Sequence, residues 1–398
     1  MSITRMNCRG VFSILLGTAL GVALVSRAAS AESPKTFQEG TSGPASLRYG
    51  NDLPVLVVEG TPEEIGKQTA ALTASAMKRL ADVPQFFVAM LGHQEQYSRY
   101  LAASRVMLER FPPDHRKELE VCAAAAGLDR DKMLAMNTVV DIFGGIGCST
   151  LVVEGPRSTT GSPLMGRNLD LFPMGVLQNY NMVVVCRPKG KLAYAGVAFP
   201  GIVGVLSGMN SQGLALVVHG VFSNGNGQRS FDLNGTPCTM LYRRVMEECS
   251  TVDQAAELLR RSRHTTALSV VLCDRRGGAV VETAPEGVSV RRSESGVCAC
   301  TNHFRAGRNL SADVCPRYAT LIRRSAAEKL GPGDIARTLN EVNQGVQTLQ
   351  TMIFEPGPLE LSLAVGSCPS SALPMKKLQL APLYSASAPT ENTLRKPQ

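Results

Sequence analysis

The spacing of hydrophobic positions changes abruptly at one point of the chain and divides it into two parts. Between residues 63 and 141, Ala, Leu, Met and Phe recur at steps of three and four, the spacing of one helix face. The TPEE sequence at 61–64 is typical of a helix start, and Pro84 and the Pro pair at 112–113 are expected to divide this stretch into three or four helices. The first part is therefore predicted to be mainly helical, after one strand at 53–59.

The second part begins at residue 148 and consists of short apolar runs bounded by Gly, Pro, Asn or Ser. Such runs are typical of β-strands. Two groups of helical pattern interrupt them, at 237–261 and 315–342, and a last hairpin is predicted at 351–365. Strands in groups with helices between the groups predict antiparallel sheets covered by helices, an α+β fold.

The first 31 residues have the pattern of a secretory signal. Arg5 and Arg9 precede an apolar run at 11–25, and the small residues Ala29, Ser30 and Ala31 follow it. The run is shorter than the roughly 20 residues that a membrane-spanning helix needs. We therefore expect cleavage after Ala31, export to the periplasm or the extracellular space, and no stable membrane insertion.

Charge and cysteine spacing argue against two kinds of function. The net charge of +8 falls to +5 without residues 1–31, which carry three Arg and no acid, and the remaining basic residues are scattered. Nucleic-acid binding needs clustered basic residues, so it is not expected. Besides Cys8 and Cys148 there are nine cysteines, an odd number that cannot all pair after export. Cys298 and Cys300 have no second Cys or His pair at ligand spacing, so neither a metal nor a cofactor is expected.

The junction of the two parts, Gly147-Cys148, has the chemistry of a self-cleavage site. The Cys148 thiol can attack the carbonyl carbon of Gly147, take over the acyl group from nitrogen to sulfur, and pass it to water. Gly147 has no Cβ, which permits the strained approach. The product carries a thiol and an α-amine, and an amine with a pKa of about 7.7 to 8.0 can act as a base at neutral pH. Taken alone, Cys148 is also explained as a small hydrophobic residue buried at the start of a strand.

Three polar motifs downstream could complete such a site. GRNLD contains Arg167 and Asp170, 19 and 22 residues after Cys148, and faces the first strand if the two runs pair. GMNSQGL has the composition of a hairpin around Asn210. TNHF ends an apolar strand with Asn302, whose amide could donate to an oxyanion. Each motif alone is also explained by a turn, a surface ion pair or a strand end.

In this order and spacing, the motifs resemble those of the cysteine N-terminal-nucleophile (Ntn) hydrolases. The resemblance is greatest to the acyl-CoA:6-aminopenicillanate acyltransferase branch, the C45 peptidase family, and weaker to bile-salt hydrolases and penicillin V acylases. It runs from GTPEEIG at 60–66 to TMIFEPGPLELSLAVG at 351–366. It implies a mainly helical pro-segment at 32–147, followed by an αββα sandwich at 148–398 that stays associated with the pro-segment after the cut.

The resemblance also implies a role for each site residue. Cys148 would be the nucleophile and its amine the base, Asp170 would bind that amine, and Arg167 would contact the thiol. Asn302 would donate to the oxyanion, with the region of Asn210 completing the site. A small N-acyl amide or acyl thioester would acylate Cys148, and water or an acceptor amine would take the acyl group.

Two departures limit the resemblance. Bile-salt hydrolases begin almost directly at the cysteine, so their specificity is not implied for a chain with a pro-segment at 32–147. Arg317 matches the late arginine of the family, which supports the network near the nucleophile, but Cys315-Pro316 stands where the family often has Ser. Cys300 and Cys315 are open to a structural interpretation as disulfide-bonded residues.

Two other functions remain open at this stage. Cys148 could pair with His303 or His219, with Asn302 orienting the ring, as in papain-like proteases that need no self-cleavage. The CGSC-like sequence of that class is absent. The chain could also be a catalytically silent exported scaffold or binding module of the same fold.

Overall fold

The computed structural model describes residues 35–385, apart from residues 91, 145, 222–230 and 307–314. The predicted signal at 1–31 lies outside the described residues. Within the described ranges, no helix combines the length and the apolar composition that crossing a membrane requires.

The first part of the chain contains strands and then helices. Its elements are β1 (Gly40–Ser42), β2 (Ala45–Gly50), β3 (Leu53–Gly60), α1 (Pro62–Leu80), α2 (Val83–Met90), α3 (Tyr97–Leu108), α4 (Pro113–Ala126) and α5 (Arg130–Phe143). Thr61 begins α1 with a capping box, in which its backbone N–H donates to Glu64 at 2.7 Å. The strand and the helical stretch are confirmed, but the described residues of this part form five helices instead of three or four. Helix α1 ends at Leu80, a boundary that no proline marks. Gly127 ends α4 with a φ of 60°.

The second part is dominated by strands, as its apolar runs predict. Its strands are β4 (Gly147–Val153), β5 (Leu164–Asp170), β6 (Met182–Pro188), β7 (Tyr194–Ala198), β8 (Ser207–Asn210), β9 (Ala215–Gly220), β10 (Leu268–Cys273), β11 (Gly278–Ala284), β12 (Gly287–Arg292), β13 (Val297–Cys300), β14 (Thr348–Glu355), β15 (Glu360–Ala364) and β16 (Lys376–Gln379). Its helices are α6 (Cys238–Glu248), α7 (Val252–Arg261), α8 (Pro316–Arg324), α9 (Pro332–Glu341) and α10 (Ala381–Tyr384). The polar β16 and the single-turn α10 carry no periodic signal, and the sequence did not predict them.

The strands form two sheets. The large sheet has the order β1-β2-β3-β6-β7-β8-β9-β10-β11-β12, and the small sheet has the order β13-β4-β5-β14-β15-β16. Neighbouring strands are antiparallel except β3 and β6, which pair in parallel. Because β3 belongs to the first part, residues before the Gly147-Cys148 junction complete the sheet of the second part.

The two sheets pack face to face, with helices on both outer sides. Apolar side chains such as Val217 and Phe354 fill the space between the sheets. Helices α1, α5, α6 and α7 cover the large sheet, and α8 and α9 cover the small sheet through residues that include Leu321 and Ile335. The αββα sandwich that the resemblance implies is therefore confirmed.

A buried group of charged side chains joins the two parts of the chain. Arg243 on α6 donates to both carboxylate oxygens of Glu118 on α4, at 2.8 and 2.7 Å, and to Glu247 at 2.7 Å. His115 Nε2 lies 2.9 Å from Glu247 Oε2, and Lys191 donates to the same oxygen at 2.9 Å. Loss of one partner would leave an uncompensated buried charge, so this group ties α4 firmly to α6.

Candidate active site

The pairing of β4 with β5 sets the geometry around Cys148. Gly147 lies opposite Asp170, Cys148 opposite Leu169, and Thr150 opposite Arg167. Successive side chains of a strand point to opposite faces. The Cys148 thiol and Arg167 therefore face the large sheet, while Asp170 faces the helical layer.

Gly147 fills a position where a larger residue would not fit. A Cβ at this residue would lie 2.6 Å from Gln344 Nε2 and 3.0 Å from the Cβ of Asp170. Both distances are shorter than ordinary contacts, so the close packing of the junction against β5 depends on glycine.

The thiol of Cys148 is fully buried between a guanidinium and a carbonyl. Arg167 Nη2 donates to Sγ at 3.2 Å, and Sγ donates to the Val218 carbonyl at 3.2 Å. Burial raises the pKa of Cys148, and the charge and hydrogen bond of Arg167 oppose that rise. Arg167 is itself buried and held by the carbonyls of Leu206 and Val218, at 2.8 Å each, and by the hydroxyl of Ser207.

The amide of Asn302 holds both sides of the junction. Its Oδ1 accepts from the backbone nitrogen of Cys148 at 2.9 Å. Its Nδ2 donates to the carbonyls of Ile146 at 2.9 Å and Gly220 at 2.8 Å. In the uncut chain both amide hydrogens of Asn302 are therefore used. These partners, together with Arg317, determine which end of the amide is oxygen and which is nitrogen.

Arg317 connects the nucleophile to Asn302. Its Nη1 donates to the Cys148 carbonyl at 2.6 Å and to Ser149 Oγ at 3.0 Å, and its Nη2 donates to Asn302 Oδ1 at 2.9 Å. Nη1 also lies 3.8 Å from Asp170 Oδ2. The arginine sits in the first turn of α8, so this helix delivers the charge to the small sheet.

Asp170 lies beside the junction but on the other face from the thiol. Its carboxylate accepts from Gln344 Nε2 at 2.8 Å and from Thr348 Oγ1 at 2.6 Å. Burial raises the pKa of Asp170, against the effect of these two donors and of the Arg317 charge. In the uncut chain the Cys148 nitrogen donates to Asn302, not to Asp170.

Asn210 is the predicted site residue that the structure keeps apart from this group. Its Nδ2 donates to the carbonyls of Met246 and Cys249 at 2.9 and 2.7 Å, and its Oδ1 accepts from the nitrogens of Gln212 and Leu214 at 3.1 Å each. The side chain thus shapes the β8–β9 hairpin and holds the end of α6. The hairpin prediction is confirmed, and the amide is fully used within it.

The two histidines of the papain-like alternative have other partners in the described chain. His219 Nε2 lies 2.8 Å from Thr150 Oγ1, and His303 Nε2 lies 2.9 Å from Thr301 Oγ1. The hydrogen bonds described for the Cys148 thiol go to Arg167 and Val218. The geometry therefore does not favour a Cys–His pair at this site.

Sequence reasoning missed the residues that support the charged side chains. Ser207 holds Arg167, while Gln344 and Thr348 hold Asp170. All three lie in ordinary turn or strand contexts, far along the chain from their partners, and no local motif marks them. No group of three or more His, Cys, Asp or Glu in the described ranges is arranged to hold a metal ion.

Comparison with known proteins gives matches in related families. The family model of acyl-coenzyme A:6-aminopenicillanic acid acyl-transferase matches residues 157–368, a span that begins after Cys148. The penicillin amidase model matches residues 68–213, across the junction. An N-acylethanolamine-hydrolyzing acid amidase of Caenorhabditis elegans is 24% identical over 163 residues, 38% of this chain and 45% of the relative. The chain spans less than half the length of the curated relatives that it matches.

Solved structures of an acid amidase and a bile acid hydrolase are similar to this chain at low sequence identity. A Caenorhabditis elegans N-acylethanolamine-hydrolyzing acid amidase ortholog has 17% identity and a TM-score of 0.44, covering 53% of this chain and 93% of that one. A mutant of conjugated bile acid hydrolase from Clostridium perfringens has 16% identity and a TM-score of 0.38, covering 55% and 89%. Since the family model covers more than half of the 398 residues, the chain belongs to the acyl-coenzyme A:6-aminopenicillanic acid acyl-transferase family, whose members are amidohydrolases and acyltransferases.

Proposed function

We propose that this chain is an exported Ntn cysteine amidase or acyltransferase, which cuts itself between Gly147 and Cys148. Residues 1–31 act as the signal, 32–147 as the pro-segment, and 148–398 as the catalytic chain. The mature enzyme acts on a non-peptide C–N amide bond of a small N-acyl compound, through an acyl group on Cys148.

One observation carries the proposal. The Cys148 thiol accepts a hydrogen bond from the Arg167 guanidinium at 3.2 Å, while the nitrogen of the bond to be cut donates to Asn302 at 2.9 Å. A thiol beside a fixed positive charge is more easily deprotonated, because the charge stabilises the thiolate. The same residue therefore carries both the nucleophile and the leaving nitrogen, each held by a dedicated side chain.

The self-cleavage proceeds in two steps, acyl transfer from nitrogen to sulfur and hydrolysis of the thioester. Sγ loses its proton and bonds to the carbonyl carbon of Gly147; the C–N bond then breaks, and the nitrogen of Cys148 takes up a proton. Water next attacks the resulting thioester, which leaves a carboxylate on Gly147 and restores the thiol. Glycine at residue 147 admits this approach, since a Cβ there would meet Gln344 and Asp170.

The cut would convert Asn302 from a scaffold into an oxyanion donor. Before cleavage, one Nδ2 hydrogen goes to the Ile146 carbonyl at 2.9 Å. Departure of the new end at Gly147 breaks that bond, and the hydrogen becomes available to a substrate oxygen beside Sγ. The Cys148 thiol, buried in the uncut chain, becomes accessible in the same event.

The contacts of the remaining residues support a role for each. The Cys148 amine acts as the base, because its pKa of about 7.7 to 8.0 suits proton transfer at neutral pH. Arg317 fixes the Cys148 carbonyl and Asn302, while Asp170 supplies negative charge near the amine from across the strand pair. The curated relative named an acid amidase supports an amide substrate. Water or an acceptor amine then removes the acyl group from Cys148.

Intact mass measurement and N-terminal sequencing of the purified protein test this proposal. We expect a fragment that starts at Cys148, and we expect Cys148→Ala to remain a single chain. The processed protein should hydrolyse N-acyl amides in a panel assayed with and without an acceptor amine. His303→Ala and His219→Ala serve as controls for the Cys–His alternative and should still cut. An uncut wild type that hydrolyses amides would disprove the mechanism with the amine as base.

A further inference from the structure

A second thiol lies at the start of α8, next to the residues that hold the Cys148 site. Cys315 is the N-cap of this helix and is only partly buried. Thr301 Oγ1 lies 3.6 Å from its sulfur. Thr301 is in turn 2.9 Å from Nε2 of His303, which is 9% exposed. This arrangement forms a short polar row of His303, Thr301 and Cys315.

Several groups around Cys315 favour a thiolate. Burial raises the pKa of the thiol, but the nearby His303 side chain, the Tyr318 backbone, the Thr301 hydroxyl and the charge of Arg317 outweigh it and lower the pKa to about 6. The N-terminal end of a helix also stabilises negative charge. The buried Nδ1 of His303 has no hydrogen-bond partner among the described residues, so one polar atom next to this row is left unused.

Cys315 is not committed to a disulfide. Cys300, the other residue open to that interpretation, is also a thiol, so the structural interpretation of these two residues as disulfide-bonded is wrong. Burial raises the pKa of Cys300, which makes it a poor nucleophile. A reaction of Cys315 therefore needs a partner from outside the chain.

We propose that Cys315 is a modification site that reacts with low-molecular-weight disulfides, and that its modification switches off the Cys148 centre. In this step the Cys315 sulfur bonds to one sulfur of the external disulfide, whose S–S bond breaks. The other half leaves as a thiolate, so the reaction needs no further oxidant. A thiol of the same class reverses it.

The effect on the Cys148 centre follows from sequence neighbours. Arg317 stands two residues after Cys315 and donates to the Cys148 carbonyl and to Asn302. Asn302 lies between Thr301 and His303, which face the thiol. A group attached to Cys315 occupies the space at the first turn of α8, so it moves Arg317 and the 301–303 segment away from the nucleophile. The effect on the activity of Cys148, unlike the reactivity of Cys315, rests on the proposed function.

Cys368 offers a matched control thiol. It is also partly buried and reduced, but burial raises the pKa of its thiol, and no described group beside it lowers the pKa.

We would treat Cys148→Ala, the single-chain form, with iodoacetamide from pH 5 to 9 and follow Cys315 and Cys368 by peptide mass spectrometry. Cys315 should react at least about tenfold faster at pH 7, with a midpoint near pH 6 instead of the ordinary value of about 8.5. Thr301→Val and His303→Ala should move the midpoint upward. Equal rates for Cys315 and Cys368 would refute the site.

Activity tests the switch separately. Treatment of the processed wild type with 2-hydroxyethyl disulfide should abolish turnover in proportion to modified Cys315, and dithiothreitol should restore it. Cys315→Ser should lose activity at least about tenfold more slowly, because only the Cys148 thiol is left to react at this centre, while Cys368→Ser should respond like the wild type. Equal loss of activity in Cys315→Ser would refute the switch. The alkylation result does not depend on any enzymatic activity, so failure of the proposed function would leave it interpretable.

Discussion

The Oδ1 atom of Asn302 accepts a hydrogen bond of 2.9 Å from the backbone nitrogen of Cys148, across 154 residues of sequence. The Nδ2 atom of the same amide donates to the Ile146 carbonyl on the other side of the junction. One side chain thus fixes the peptide segment that we propose is cut. Since Arg317 also donates to Oδ1, the amide cannot rotate without the loss of charge-assisted bonds.

Asn302→Asp removes both N–H donations of this amide, to Ile146 and Gly220, and keeps its acceptor side. The carboxylate keeps acceptors for Arg317 and the Cys148 nitrogen but has no N–H to stabilise an oxyanion. We expect kcat, divided by the amount of chain that begins at Cys148, to fall about 100-fold or more. Asn302→Ala should lose a similar factor and also unfold at a lower temperature. An Asp variant with wild-type kcat would exclude Asn302 as the oxyanion donor.

Arg167→Met tests the charge beside the thiol. Arg167 lowers the free energy of the Cys148 thiolate, so its removal should raise the pKa of the thiol further. Self-cleavage and turnover should slow at pH 7 and recover in part near pH 9. Arg167→Lys keeps the charge but not the forked hydrogen bonds. Its pH profile should therefore lie between those of the wild type and Arg167→Met. If the Met variant has the wild-type pH profile, Arg167 acts through packing alone.

Gly147→Ala tests the packing of the junction. The new Cβ would lie 2.6 Å from Gln344 Nε2 and 3.0 Å from Asp170 Cβ, so the chain must move away from β5. We expect the half-time of self-cleavage, followed by intact mass, to lengthen at least about tenfold. Gly40→Ala is the control, because its Cβ would stand 3.6 Å from Leu72 and should leave the half-time unchanged. Addition of Gln344→Ala to Gly147→Ala should restore part of the rate; unchanged cleavage in Gly147→Ala alone would contradict this account.

The spacing of motifs predicted the strand pairing around the site. A separation of 19 to 22 residues between Cys148 and the GRNLD motif fits two seven-residue strands and their connection, and the observed register puts Gly147 opposite Asp170. Period-2 alternation then places Arg167 with the thiol and Asp170 on the other face. The pairing was readable because both strands carry dense apolar signals close together in sequence.

The partners that hold these side chains could not be read from the sequence. Thr348 holds Asp170 across 178 residues, and Ser207 holds Arg167 across 40. Such contacts depend on how the sheets and helices pack, and a Thr or Ser leaves no pattern when it acts alone. The same reason explains Asn210, where the Asn and Gly composition predicted the turn, but only the packing of α6 showed where its amide is used.

Acid should loosen the contact between α4 and α6. Burial and the Arg243 charge lower the pKa of His115, so the neutral ring donates through Nε2 to Glu247. Burial raises the pKa of Glu247, but Arg243, His115 and Lys191 outweigh it and hold the pKa well below the usual range. Below about pH 6.5 the unfolded chain binds a proton at His115 that the folded chain does not bind, and below about pH 4.3 the same holds at Glu247. Stability should therefore fall as the pH drops through both ranges.

Urea unfolding of Cys148→Ala between pH 4 and 8 measures this dependence on a single chain. His115→Gln removes one titrating group, so the slope of the unfolding free energy between pH 5 and 6.5 should decrease by up to about 1.4 kcal/mol per pH unit. His93→Gln, in a half-buried position of a connecting segment, is the control for the substitution itself. In the processed protein this group is expected to hold residues 32–147 to the catalytic chain, because Glu118 and His115 lie before the cut and Arg243 and Glu247 after it. Acid should then release the pro-segment on size-exclusion chromatography at a higher pH than it unfolds the single chain. Release only at the pH at which the single chain unfolds would contradict that role.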